Sequence, residues 1–120
     1  MSDPGAPGQA GNAVTFVFIY VTARDRAEAL SIGRALVDER LVACVNILDG
    51  MRSLYWWDGA VQEADEAVLV AKTRAELAPA VTARVKALHS YEVPCVVVLP
   101  VADGNPDFLD WIAAETRPNV

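Results

Sequence analysis

The sequence predicts an α+β domain with a ferredoxin-like β-α-β-β-α-β order, an antiparallel sheet and an added C-terminal helix. Three observations lead there. Four apolar, β-prone runs alternate with two stretches of helical periodicity in that order. The pair Asp58-Gly59 stands between long runs rich in Val, Leu, Ile, Tyr and Trp, and marks a hairpin tip, because a type I′ turn needs positive φ at both central positions. Right-handed crossovers put both main helices on one face of such a sheet, yet the strands are apolar on both sides, so the back of the sheet needs a cover. That cover is expected to be further copies of the same chain.

Taken in order, residues 1–12 are rich in Gly, Pro, Ala and Ser and are expected to form a disordered tail, leaving 13–120 as one domain. Val14 to Val21 is continuously apolar, which suits a central strand covered on both faces. Asp25 and Glu28 have capping-box spacing. Ala29, Ile32, Gly33, Leu36 and Val37 then fall on one helical face. Gly33 either lets that helix approach the sheet closely or simply costs about 1 kcal/mol of helix propensity. The long hairpin occupies Leu41 to Thr73. Asp49-Gly50 within it is a competing turn, read as a bulge because Asp58-Gly59 has the longer β-prone flanks. The polar stretch Gln62 to Glu66 either loops out or lies on an exposed edge.

Thr73, with Glu76 three residues on, is a candidate helix cap, although Pro79 fits better at the first position of the next helix. Val81, Val85 and Leu88 form that helix's stripe, which ends near His89. Cys95 to Leu99 is the fourth strand, and Pro100 ends it or marks a sheet edge. Asp103-Gly104-Asn105 turns the chain into a short helix from Asp107 to Thr116, opened by Pro106.

The composition excludes several functions. With 120 residues, 53% of them hydrophobic, the chain is long enough to bury a core without staples. A net charge of −6 leaves no electrostatic footprint for phosphate backbones, so no nucleic-acid partner is expected. No apolar run is long enough to span a membrane, and no secretory signal is visible, so a cytoplasmic location is expected. Cys44 and Cys95 lie in apolar runs without Cys-x-x-Cys spacing. They read as reduced, buried thiols, with a disulfide or a metal pair as the alternatives.

Several motifs together resemble one family. Ala35-Leu36-Val37-Asp38-Glu39-Arg40-Leu41-Val42-Ala43-Cys44-Val45-Asn46 is similar to the helix-to-strand segment of the CutA family, the divalent-cation tolerance proteins. Ser53 to Gly59 resembles its aromatic hairpin tip, Lys72-Thr73 its strand end, and His89-Ser90-Tyr91-Glu92-Val93-Pro94 its His-Pro-Tyr-Glu-Val-Pro motif. Asp103 to Trp111 resembles its final turn and helix. The resemblance runs from about Val14 to Thr116. It implies a homotrimer, similar in architecture to the PII signalling proteins, with hairpins reaching across neighbouring subunits, and a role in tolerance to divalent metals, copper especially. Ser90 departs from the family's usual Pro, which implies a less rigid loop before Tyr91. Ala60 and Pro79 depart as well.

The residue inventory bears on chemistry. One histidine, no visible Ser-His-Asp arrangement and no Gly-rich phosphate loop leave no evident catalytic machinery, so a non-enzymatic protein with no obligatory cofactor is expected. Cys44 and His89 are the candidate ligands for copper or another divalent metal ion, being soft and borderline donors. Each also has a structural reading, as a buried strand residue and as a helix-end cap. Glu66, Lys72, Tyr91, Glu92 and Trp111 match family motif positions. They are candidates for a small-molecule cleft between subunits, Lys72 and Glu92 alternatively forming an ion pair there. Tyr55, Trp56 and Trp57 are the candidate trimer-interface anchors. The rival reading is a PII-like trimer whose cleft binds a metabolite.

Overall fold

The computed structural model describes residues 15–119. The expected tail over 1–12, the domain start at 13 and the first residue of the first predicted strand, Val14, lie outside the described residues. Within them the chain runs β1 (Phe16–Ala23), α1 (Arg26–Asp38), β2 (Cys44–Trp57) and β3 (Ala60–Arg74). A single 3-10 turn (Ala75–Leu77) leads to α2 (Ala78–Leu88), β4 (Val96–Pro100) and α3 (Pro106–Glu115). The strands form one sheet in the order β2-β3-β1-β4, with every neighbouring pair antiparallel. This is the split βαβ arrangement, β3 lying between the two strands that α1 connects.

β1 alternates strictly. Val17, Ile19, Val21 and Ala23 are buried under α1 and α2, whereas Phe16, Phe18, Tyr20 and Thr22 face the other side and are only half-buried. The sequence expectation of cover on both faces is therefore met on one. The helices account for that one, and a continuous apolar run does not distinguish the two cases.

α1 starts as its residues dictate. The Asp25 carboxylate accepts from the Glu28 N–H at 2.8 Å. Ala29, Ile32, Gly33 and Leu36 are buried, but Val37, expected on the same stripe, is exposed at its edge. A Cβ on Gly33 would meet Val45 Cγ2 at 3.0 Å and Leu69 Cδ1 at 3.2 Å, so the missing side chain lets the helix sit down on the hairpin strands. The helix ends in a Schellman motif. Arg40 has φ 56°, its N–H reaches Val37 O at 3.0 Å, and the Leu41 N–H reaches Leu36 O at 3.1 Å. Leu36 and Leu41, which that motif brings together, are both buried.

The hairpin pairs Cys44 with Lys72 at its foot and Trp57 with Ala60 at its tip. Asp58 and Gly59 have φ 54° and 78°, the two positive values that a type I′ turn needs. At Asp49-Gly50 the register shifts between Leu48 and Met51, with Gly50 at φ 78°, so this pair is a bulge inside an unbroken strand. Residues 62–66 stay in β3 rather than looping out, and Arg52 pairs with Asp65 directly opposite at 2.9 Å and with Glu63 at 3.4 Å.

Thr73 is not a helix cap. It is a fully buried residue of β3 whose hydroxyl donates to Leu41 O at 2.6 Å. The chain reaches α2 through the 3-10 turn, and Pro79 is the second residue of the helix rather than the first, still within the first turn that tolerates a missing N–H. β4 starts at Val96, one residue later than expected, and pairs only with β1, so Pro100 lies on a sheet edge. α3 is capped by Asn105, whose side chain accepts from the Asp107 N–H at 3.0 Å, and buries Ile112. Arg74 then ties down the chain end. Its Nε donates to Thr116 Oγ1 at 2.9 Å, and its guanidinium also reaches Arg117 O and Glu76.

Candidate functional site

The outer half of the hairpin and the loop before β4 enclose a cavity of ≈ 650 Å³. β2 supplies Arg52, Leu54, Tyr55 and Trp57, β3 supplies Glu66, and the loop supplies Tyr91, Glu92, Val93 and Cys95. The bulge at Asp49-Gly50 lies just inside this stretch of β2. It bends the strand and resets which side chains share a face.

The loop is held by buried polar groups. The side chain of His89 is fully buried. Its Nε2 lies 2.7 Å from Thr22 O, and a carbonyl only accepts, so Nε2 carries the proton and donates. Its Nδ1 accepts the Tyr91 N–H at 3.0 Å. Beside it, Glu28 is 7% exposed and accepts two backbone N–H groups, Arg24 on Oε1 and Ser90 on Oε2, both at 2.8 Å. Burial pushes the Glu28 carboxyl up, but the hydrogen bonds from Ser90 and Arg24, with the His89 ring nearby, outweigh it and leave it below the usual glutamate range. Ser90 thus donates an N–H that the family's usual proline would not have. The loop is anchored at the residue where the resemblance implied slackness.

Tyr91, so placed, donates its hydroxyl to Glu66 Oε2 at 2.8 Å. Burial, reinforced by that carboxylate, pushes the phenol well above its ordinary range, so it stays a donor. Glu66 is itself only 9% exposed.

The candidate residues therefore divide. Glu66, Tyr91 and Glu92 meet in the cavity. Lys72 and Trp111 do not: Lys72 lies six residues along β3 from Glu66, roughly 20 Å in an extended strand. Its Nζ donates to Asn46 Oδ1 and stands over the rings of Phe18 (5.5 Å) and Phe108 (5.7 Å). Trp111 stacks on Phe108 at 5.7 Å and lines a smaller hollow of ≈ 290 Å³ with Arg40 and Glu115. Within one chain these five residues are two places, not one cleft.

Cys44 and His89 divide the same way. Cys44 pairs with Lys72 at the hairpin foot, whereas His89 is bonded at Thr22, opposite Val68, toward the far end of the sheet. Both cysteines are free and partly buried. Among the described residues no three His, Cys, Asp or Glu side chains stand together as a metal-holding group. Tyr55 and Trp57 line the cavity, while Trp56 between them is 75% exposed. Sequence reasoning missed Arg52, Cys95 and Val93 as cavity residues. It read Glu28 only as a cap partner, because the Ser90 contact spans 62 residues and leaves no local signal.

Fold and site together define a small ferredoxin-like α+β domain with one open sheet face and a carboxylate-bearing aromatic hollow beside its hairpin. Residues 17–115 match the family model described as CutA1 divalent ion tolerance protein, and the chain belongs to that family. It is 46% identical over 98 residues to the divalent-cation tolerance protein CutA of Thermus thermophilus, covering 82% of this chain and 95% of that protein. It is 41% identical over 104 residues to the chloroplastic protein CutA 1 of Oryza sativa, covering 87% of this chain but only 59% of the rice protein's length. The crystal structure of CutA1 from Oryza sativa superimposes with a TM-score of 0.85 at 40% identity, over 89% of this chain and 98% of that one. The Thermus thermophilus structure gives 0.83 at 44% identity, over 85% and 99%.

Proposed function

We propose that this chain works as a divalent-cation tolerance protein of the CutA type: a non-catalytic homotrimer that binds copper or another divalent metal with donors from more than one copy. The observation that carries the reading is the apolar surface a single copy leaves open. Trp56 and Leu48 are 75% and 63% exposed and lie outside the cavity lining, and Val97 and Leu99 add to them on a chain whose relatives are named for cation tolerance. Exposed apolar surface of this kind marks an interaction site, and a closed head-to-tail ring of copies covers it.

The metal part of the reading rests on Cys44. Its thiol is free, and a thiolate suits Cu(I) or zinc. Among the described residues one chain does not offer a complete donor set, so the remaining ligands come from a neighbouring copy. For His89 to take part, its ring must give up the Tyr91 N–H. A reducing, cytoplasmic setting keeps both thiols available. Among the described residues no helix is long and apolar enough to cross a membrane.

Two measurements test this. Sedimentation equilibrium at micromolar concentration is expected to return three times the chain mass; a lone subunit rejects the assembly. Titration calorimetry with Cu(I), Cu(II) and Zn(II) is expected to show binding that Cys44→Ser weakens by about tenfold or more, the scale seen when groups supporting a metal are removed. Equal binding by wild type and variant rejects the thiol.

A further inference from the structure

We propose that the cavity between the hairpin and the loop carrying Tyr91 binds a small organic cation, an amine borne on an apolar or aromatic body. The proposal does not use Cys44, and it requires His89 to keep the Tyr91 N–H that places the phenol.

Size comes first. At ≈ 650 Å³ the cavity is in the range of small-molecule sites and far larger than an ion needs. Charge comes second. Two lining carboxylates, Glu66 and Glu92, face one cation, Arg52, and Arg52 is already held by Asp65 and Glu63 outside the lining. The wall therefore presents net negative charge to whatever enters, which selects against anions.

The third argument is the state of Glu66. It is 9% exposed, and one oxygen, Oε2, takes the Tyr91 hydroxyl. The other, Oε1, has no hydrogen-bond partner among the described residues. A nearly buried carboxylate with a free oxygen is costly unless a donor reaches it, and an ammonium supplies a charged one. Tyr91 adds to this, because its oxygen donates to Glu66 and keeps lone pairs for a second N–H of the same ammonium.

The walls supply the rest. Tyr55 and Trp57 offer ring faces that attract a cation, and Leu54 and Val93 offer apolar surface for the body that carries it. A metal ion alone fits this place poorly, since among the described residues no three donor side chains converge.

The test uses three probes of one shape in the full-length protein in its native assembly: phenethylamine, 2-phenylethanol and phenylacetate, followed by tryptophan fluorescence and calorimetry near pH 7. The amine is expected to bind saturably and the alcohol and carboxylate about tenfold or more weaker, because the amine alone makes the charge-assisted bond. Glu66→Gln is expected to remove that preference. Glu92→Gln, an exposed position where folding is not at stake, is expected to weaken the amine about threefold by removing only longer-range attraction. Lys86→Met, exposed on α2 and outside the cavity lining, should change nothing. Equal binding of the three probes, no binding of the amine at millimolar concentration, or an amine preference that survives both Glu variants overturns the proposal. So does loss of amine binding in Lys86→Met.

Discussion

Glu28 and Ser90 show how one buried pair holds the candidate site in place. Replacing Glu28 by Gln removes the charge from an acceptor of two backbone N–H groups, and is expected to cost about 1–3 kcal/mol in urea unfolding. The pH dependence follows from the direction of its shift. Hydrogen bonds from Ser90 and Arg24 overcome burial and lower the Glu28 carboxyl below its ordinary 4.5. A group lowered in the folded state stabilises fully above its unfolded value, and that stabilisation is lost as pH falls through the folded value. Below about pH 4.5 wild type should therefore lose stability more steeply than Glu28→Gln; parallel curves would show that this carboxylate is not responsible. Ser90→Pro tests the same contact from the other side. His89 already has the extended backbone that a following proline demands, at φ −79° and ψ 144°, so the loss is the Ser90 N–H to a buried carboxylate together with the Ser90 hydroxyl beside it. A cost of about 1–3 kcal/mol is expected, and a neutral result would show that the bond is dispensable.

At the scale of elements, close approach and handedness decide. Gly33→Ala improves intrinsic helix propensity by about 1 kcal/mol. The new methyl, however, meets Val45 at 3.0 Å and Leu69 at 3.2 Å, and Val45 is a stiff, β-branched strand residue. Overpacking of about 1–3 kcal/mol outweighs the gain, so thermal denaturation should show a net loss. A higher melting temperature would mean that helix and hairpin can part. The C-terminal end of α1 carries the opposite opportunity. Arg40 holds φ 56°, which costs a residue other than glycine about 1–2 kcal/mol. Arg40→Gly is expected to stabilise, offset in part by loss of an exposed ion pair with Glu115 and of a hydrogen bond to the Glu115 carbonyl oxygen. Arg40→Val, with a β-branched side chain in the same conformation, should destabilise.

For the molecule as a whole, the prediction concerns association. The long hairpin puts Trp56 at 75% exposure beyond the reach of its own helices. Trp56→Glu is therefore expected to leave the unfolding free energy of the isolated domain within about 0.5 kcal/mol, the usual range for surface changes, while shifting sedimentation toward smaller species. An unchanged oligomer would remove Trp56 from the interface.

The amino-acid order alone determined the succession of elements, the hairpin tip at Asp58-Gly59, the bulge at Asp49-Gly50, the Asp25 cap and the family. The elements, turn, bulge and cap are set by residues within a few positions of one another, through backbone φ, side-chain period and capping chemistry, and the family by several such motifs in order. Tertiary structure decided what local rules do not reach. Thr73 has a good cap's side chain and spacing, yet Leu41 O, brought beside it by strand pairing, takes its hydroxyl. Lys72 and Glu66 share a strand but serve different ends of it. Glu66 meets Tyr91 across 25 positions, and Glu28 meets Ser90 across 62. The physical reason is that burial and charge pairing depend on which surfaces the sheet order β2-β3-β1-β4 brings face to face, and that order is a property of the packed chain rather than of any segment.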